Sequence, residues 1–247
     1  HDIDKVVSAI SSIRDIEEVS MTSNGILMAP AAADLVRAGL KRANISLPSI
    51  DPQVYGDVTG ISDSKARWEV LSKVVKGIDA AIAAGLSPVK INMVVLKGLN
   101  DHEIPRMIEF SRQKGGVLQL IELQNLGIDR NLYKVYHNDL RALERWLGEH
   151  ASKIEIRRFS QNGRSYRAFG TEIEVVRPME NEGFCAACTR IRVLADGTIK
   201  PCLMRADNTV SIPRDTLANR NETVIRRLFE EAIRRREPFF VSPKVSI

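Results

Sequence analysis

The sequence predicts an α/β fold, with parallel strands covered by helices and a C-terminal extension organised around cysteine. Three observations carry this reading. Strand, loop, helix and strand signals repeat with short connections from the first residues to about residue 157. After residue 150 the pattern changes to short runs that read as antiparallel strands. Every cysteine of the chain (Cys185, Cys188 and Cys202) falls within one short stretch near the C-terminus. The repeat alone admits either a barrel or an open sheet. Residues 1–150 are read as the α/β part and 151–247 as an extension packed against it, with no Ser/Gly-rich linker and no internal repeat.

The elements follow in order. Ile3, Val6, Val7, Ile10 and Ile13 recur at helical spacing, which predicts an amphipathic helix over 3–13. Residues 17–22 form a short strand stopped by Asn24-Gly25. Pro30 suits the first turn of the next helix and Gly39 its end, and 42–47 is the second strand. Trp68, Leu71, Val75, Ile78 and Ile82 keep one stripe over 64–84. Gly85 caps it, and 89–95 is the next strand. A loop at 98–101 opens a helix carrying Ile104, Met107 and Ile108, and Gly115-Gly116 interrupts it before the strand 117–123. Leu140, Leu143 and Leu147 mark a helix near 138–148, followed by a strand at 154–157. Runs at 164–166 and 171–176 read as antiparallel strands joined through Asn162-Gly163 and Gly170. A hairpin turns at Asp196-Gly197, and a last helix over 222–236 carries Val224, Ile225, Leu228 and Ile233.

Composition bounds the function. A chain of 247 residues buries a full core and lies between one large and two small domains. The net charge of +5 is compatible with an anionic small ligand and is weak evidence for nucleic acid. With 5% aromatic residues there is no evident platform for stacking bases. Three grouped cysteines make no disulfide framework and point to a reducing, cytoplasmic compartment. No run of 18 apolar residues exists, so no transmembrane helix is expected, and no signal-like segment opens the chain. His1-Asp2-Ile3 leads almost directly into a helix, as though the chain were entered in mid-fold.

Cys185 and Cys188 can chelate from one tight loop, and the gap to Cys202 fits a short strand, a turn and a return. Three soft ligands brought to one point suit zinc or an iron–sulfur cluster. The plainer reading is three buried small hydrophobes. Structural zinc lacks a fourth ligand here, because His137 and His150 are not at finger-like spacing. Thr22, Ser46, Lys90 and Glu122 fall at or just past strand ends, near the edge where ligand sites of such folds collect. A strand-end Thr or Ser is more often a cap or turn residue. A lone Lys90 in an apolar strand demands an anionic partner. Arg157, Arg158, Arg164 and Arg167 read as a solvated face, and Arg234-Arg235-Arg236 as solvation and helix-dipole complementarity. Arg190 and Arg192 share a strand face beside the thiols and suit bidentate phosphate contacts.

Residues 21–25, 42–47, 89–95 and 120–123, with Phe184-Cys185-Ala186-Ala187-Cys188-Thr189-Arg190-Ile191-Arg192 and Cys202, resemble the radical SAM enzymes of molybdenum cofactor biosynthesis, the GTP 3',8-cyclases. The likeness runs from the first residues to about residue 205, and its cysteine–arginine segment is the specific part. It implies an incomplete TIM-type (β/α) barrel of the radical SAM kind, with a C-terminal cluster-binding extension over its mouth. It implies that Cys185, Cys188 and Cys202 hold an auxiliary [4Fe-4S] cluster whose open iron contacts guanine. Arg190, Ile191 and Arg192 match the GTP-binding segment, Thr22 and Lys90 match positions touching GTP, and Ser46 matches one touching S-adenosylmethionine. Gln124 stands where the pattern often has Met beside S-adenosylmethionine. The implied reaction generates a 5'-deoxyadenosyl radical, which takes the 3'-hydrogen of GTP so that the sugar attacks C8.

The resemblance has two gaps. The CxxxCxxC motif that holds the family's first cluster is absent, and the chain ends 243–247 in Pro-Lys-Val-Ser-Ile in place of Gly-Gly. The expectation is the body of such an enzyme without its N-terminal part. These residues alone would not cleave S-adenosylmethionine reductively, and a second [4Fe-4S] cluster belongs only to a full-length enzyme. An unpaired edge strand would favour association. GTP and a reductant protein are expected partners, a homodimer is an admissible assembly, and nucleic acid and membrane are not expected. The rival readings are another auxiliary-cluster radical SAM enzyme and a non-catalytic zinc- or cluster-stabilised binding module.

Overall fold

Four short parallel strands, each followed by a helix, set the architecture. The computed structural model describes residues 2–157, 161 and 163–241. Arg158, Asn162 and the terminal 243–247 segment of the sequence reading lie outside them. Helix α1 (Ile3–Ser11) leads to strand β1 (Val19–Ser23), α2 (Met28–Arg37) and β2 (Leu40–Ser46). Next come α3 (Pro52–Thr59), α4 (Ser64–Ala83), β3 (Val89–Val95), a 3-10 turn (Asp101–Glu103), α5 (Ile104–Lys114) and β4 (Val117–Glu122). The chain continues through α6 (Arg130–Tyr136), α7 (Arg141–His150), β5 (Lys153–Arg157), β6 (Gly163–Ala168) and β7 (Thr171–Val176). These strands form one sheet in the order β1-β2-β3-β4-β7-β6-β5. The first four pair in parallel, as does β7 with β4, while β6 runs antiparallel to β7. This is a partial (β/α) barrel sheet, with a separate C-terminal part.

The chain divides into two compact units, His1–Glu155 with Arg164–Arg177, and Ile156–Gly163 with Pro178–Ile247. The β6–β7 hairpin was read as part of the C-terminal extension, and this is corrected. It belongs to the large sheet, because Ile173 and Val175 continue the buried apolar face of β4 through Leu118 and Leu120. Two helices of the large unit escape the sequence reading. In α3 the Asp51 side chain accepts hydrogen bonds from the Gln53 and Val54 amides, and Pro52 occupies the first turn. In α6, Asp129 caps in the same way. Both are short and lack a long apolar stripe, so periodicity could not reveal them.

Strand alternation gives the large sheet two unlike faces. Ala43, Ile45, Val89, Ile91, Met93, Leu118, Leu120, Ile173 and Val175 form one buried side. They share a core with Leu35 of α2, Val74 and Ile78 of α4 and Met107 of α5. The opposite side carries Thr22, Asn44, Ser46, Lys90, Asn92, Gln119 and Glu174. The helices therefore cover one face, and the polar residues gather on the other.

Gly77 lets α4 lie against the turn after β1. A Cβ there would stand 2.3 Å from the Gly25 carbonyl oxygen, a backbone atom that cannot yield cheaply. Gly77→Ala is expected to destabilise by about 1–3 kcal/mol, read as a lowered urea midpoint. At the sheet's C-terminal edge, fully buried Asn100 joins two loops. Its Oδ1 accepts from the Leu96 amide at 2.7 Å, and its Nδ2 donates to the carbonyls of Pro48 at 3.0 Å and Val94 at 2.9 Å. Nearby, Ser49 Oγ donates to the buried Glu103 carboxylate at 2.9 Å. The segments after β2 and β3 are thereby fixed to each other.

The second unit contains α8 (Glu182–Ala186), β8 (Arg192–Val193), β9 (Thr198–Lys200), β10 (Val210–Ser211), α9 (Arg214–Ala218) and α10 (Glu222–Arg234). Its three-stranded antiparallel sheet has the order β10-β9-β8. Ile199, Val210, Ile212 and Ala232 form its core, with Ile225, Leu228 and Phe229 of α10 packed against them. The hairpin turn falls where the sequence placed it. Gly197 adopts a left-handed φ of 83°, and Asp196 accepts from the Thr198 amide at 2.9 Å.

Candidate functional site

In the large unit, the polar face of the sheet holds three of the predicted site residues. Thr22 is exposed within β1, and Asn44 of β2 donates to its hydroxyl at 3.3 Å. Ser46 is exposed at the C-terminal end of β2, in register with Asn92 of β3. Lys90 lies near the start of β3, away from the C-terminal edge, and only 5% of its surface is exposed. The anionic partner it demanded is Glu174 of β7, also 5% exposed, with Nζ to Oε2 at 2.5 Å. Gln119 of β4 donates to the same oxygen at 2.6 Å. Lys90, Gln119 and Glu174 thus form a compensated buried cluster on three adjacent strands.

Asn92 is not singled out by the sequence, yet its buried Oδ1 has no hydrogen-bond partner among the described residues. Its place on the polar face, two residues beyond Lys90, was the available signal. Glu122 ends β4 on the opposite side and is tied to His137, with Oε1 and Nε2 2.9 Å apart. Half-buried Gln124 sits in the loop after β4, where its carbonyl accepts from the Leu126 amide at 2.9 Å.

In the second unit, Asn181 caps α8 by accepting from the Phe184 amide, so Cys185 lies on the helix. The chain then turns tightly, with the Cys188 amide donating to the Cys185 carbonyl at 3.2 Å. Pairing of Arg192 with Lys200 and of Val193 with Ile199 returns the chain toward Cys202. The three thiols are free and half-buried. Arg190 and Ile191 are exposed, and Arg192 is half-buried with an Nη1 that has no hydrogen-bond partner among the described residues.

Electrostatics links these groups. Burial, and after it the neighbouring Arg190 charge, holds Arg192 below the usual guanidinium value, while Cys188 and Cys202 pull the other way. Both thiols therefore lie close enough to act on one guanidinium. Burial pushes the Cys188 thiol up, but hydrogen bonds from the Arg190 amide and from the Arg236 and Gln161 side chains, with the Arg236 charge, bring it below its usual value. Arg236 corrects the sequence reading, which assigned the whole arginine triple to solvation and the helix dipole. Arg234 and Arg235 are exposed, but Arg236 is half-buried and its charge acts on Cys188.

Among the described residues no set of three His, Cys, Asp or Glu side chains stands at metal-holding geometry. The donors nevertheless fit an iron–sulfur cluster in kind. They are three soft thiols outside any disulfide, one of them biased toward thiolate, beside a guanidinium with an unused donor.

Residues 1–111 match the family model of the Radical SAM superfamily, and residues 117–241 match that of Molybdenum Cofactor Synthesis C. A partial (β/α) barrel followed by a thiol-bearing module thus defines a radical SAM protein. Three curated relatives named "Probable GTP 3',8-cyclase" align over nearly the whole chain. That of Methanothermobacter thermautotrophicus is 44% identical, covering 97% of this chain and 76% of the relative. That of Methanosarcina acetivorans is 46% identical over 94% of this chain and 66% of its own length. That of Methanothermobacter marburgensis is 43% identical, with 98% and 76% covered. The chain belongs to the GTP 3',8-cyclase family.

Proposed function

We propose that this chain provides the nucleotide- and cluster-binding body of a lyase that converts GTP to 3',8-cyclo-7,8-dihydro-GTP in molybdenum cofactor biosynthesis. The observation that carries the reading is Arg192. Its buried Nη1 has no acceptor among the described residues, and the Arg190 charge and the Cys188 and Cys202 thiols all act on it. Such an arrangement asks for an anion with several acceptor oxygens next to a thiolate-bound centre.

In this reading Cys185, Cys188 and Cys202 would hold an auxiliary [4Fe-4S] cluster, and Arg190, Ile191 and Arg192 would bind GTP. Thr22 and Lys90 would contact GTP from the polar sheet face, with Ser46 and Gln124 serving S-adenosylmethionine. Lys90, compensated by Glu174, offers directed hydrogen bonds more than net charge. Thr22 and Ser46, exposed on the same polar face, offer hydroxyls to sugar groups. When bound, S-adenosylmethionine and a reduced cluster supply the hydrogen-abstracting radical. The protein's own task is to anchor the triphosphate and aim the ribose. A second [4Fe-4S] cluster requires a CxxxCxxC motif, and these 247 residues contain only the three cysteines already assigned. Free thiols suit a reducing cytoplasm and a reductant protein as electron source.

Calorimetric GTP titration of the anaerobically reconstituted chain tests this reading. Saturable binding is expected, weakening about tenfold or more, some 1.4 kcal/mol, when the iron is chelated away. No binding, or equal binding with and without iron, would reject it.

A further inference from the structure

We infer that a cavity of the large unit, where β4 and β7 begin, is a second binding site, for a mononucleotide whose base stacks on Phe169 and His150 and whose phosphate meets Arg167. The cavity measures about 610 Å³, within the range of small-ligand sites. Its whole lining belongs to that unit. Ser46 ends β2, and Gln124 follows the end of β4, whereas the cavity is lined by the start of β4. The site is additional to the functional reading above and does not depend on it.

Three rings give one wall its character. Phe169 stacks on Trp146 with centroids 5.1 Å apart and planes 20° apart, and on His150 at 5.8 Å and 30°. Trp146 also meets His150 at 5.0 Å. Of the three, Phe169 and His150 line the cavity, so Trp146 backs a platform that the other two present. The His150 ring is held by its Nδ1, which donates to the Trp146 carbonyl at 2.8 Å. An aromatic content of 5% hides this platform, because the rings converge from α7 and from the β6–β7 hairpin.

The ring at the hairpin tip stands against local preference. Phe169 and Gly170 join β6 to β7 with left-handed φ values of 52° and 74°. Two-residue turns of this kind favour Asn, Asp or Gly at the first position, and a bulky side chain there is strained. Phe169 nevertheless keeps 43% of its surface exposed. Strain retained beside a cavity points to a task for the ring.

The cavity also holds a cation with charge to spare. Arg112 is neutralised, its Nε and Nη2 donating to Glu109 at 2.8 and 2.6 Å. Glu172 stands opposite Arg167 in the hairpin register, but its Oε1 accepts from Ser165 Oγ at 2.7 Å. Arg167 makes no ion pair among the described residues. A stacking platform beside a guanidinium matches a base joined to a phosphate. Every base offers a π-face, and a guanidinium fork suits phosphate oxygens.

The test follows Trp146 emission in the whole, anaerobically reconstituted chain carrying Trp68→Phe, which removes the other tryptophan, an exposed one. AMP, adenosine and inorganic phosphate are titrated into this parent and into its Arg167→Gln and Phe169→Asn versions, after thermal melts have compared folding. AMP is expected to quench the emission saturably, adenosine to do so with lower affinity, and phosphate to leave it unchanged. Arg167→Gln should weaken AMP about tenfold without altering adenosine. Phe169→Asn should weaken both about tenfold while the thermal midpoint holds or rises, because asparagine tolerates the left-handed turn. No saturable response to AMP, an unchanged AMP affinity in either variant, or equal responses to AMP and phosphate would overturn the inference. Neither GTP nor removal of iron enters the measurement, so its failure leaves the functional reading standing.

Discussion

Glu174→Ala is expected to lower the stability of the chain by about 3–5 kcal/mol, the range found when one member of a buried ion pair is removed. Glu174 and Lys90 are each 5% exposed, and their charged atoms are 2.5 Å apart. The alanine leaves a buried ammonium without this carboxylate and takes an acceptor from Gln119, which donates to it at 2.6 Å. Because β7 lies between β4 and β6 in the sheet order, the damage should spread across the large sheet. Urea unfolding followed by circular dichroism checks this through a large fall in midpoint. The double variant Lys90→Met/Glu174→Leu should recover most of the loss, since well-packed apolar replacements of buried pairs are often neutral. A change below about 1 kcal/mol for Glu174→Ala, the level of an exposed pair, would show that the pair is not buried as described.

Arg192→Ala should have the largest effect on ligand binding. The side chain is half-buried, its Nη1 has no partner among the described residues, and both Cys188 and Cys202 act on it. Truncating a charged partner in a desolvated site costs about 2–5 kcal/mol, so GTP affinity should fall at least about thirtyfold. Arg192→Lys should recover only part of it, because an ammonium cannot reproduce a bidentate fork. The thermal midpoint should hold or rise, since the substitution removes a cation that the Arg190 charge opposes. Equal GTP affinity in parent and Arg192→Ala would remove the arginine from the binding site.

Local signals made most of this fold legible. Strand β3 was read with its observed ends, and the Asp196-Gly197 turn was placed correctly, because periodicity and turn chemistry act over a few residues. The β6–β7 hairpin was assigned to the wrong layer for the opposite reason. Its partner β4 lies about fifty residues earlier, and nothing local specifies that pairing. Lys90 shows the same boundary within the site. Its need for an anion was visible in the strand, but the anion comes from Glu174, 84 residues away. Arg236 was hidden differently. Three consecutive arginines at a helix end look equivalent in sequence, and only the fold separates half-buried Arg236, whose charge acts on Cys188, from its two exposed neighbours.

The central claim is that Cys185, Cys188 and Cys202 together hold iron and sulfide beside the arginines. Iron, sulfide and zinc analysis of the anaerobically reconstituted chain, repeated on each Cys→Ser variant, measures it directly. The account predicts about four irons and four sulfides per chain, falling sharply in all three variants. One zinc per chain without sulfide, or iron retained after any one of the cysteines is replaced, would contradict it.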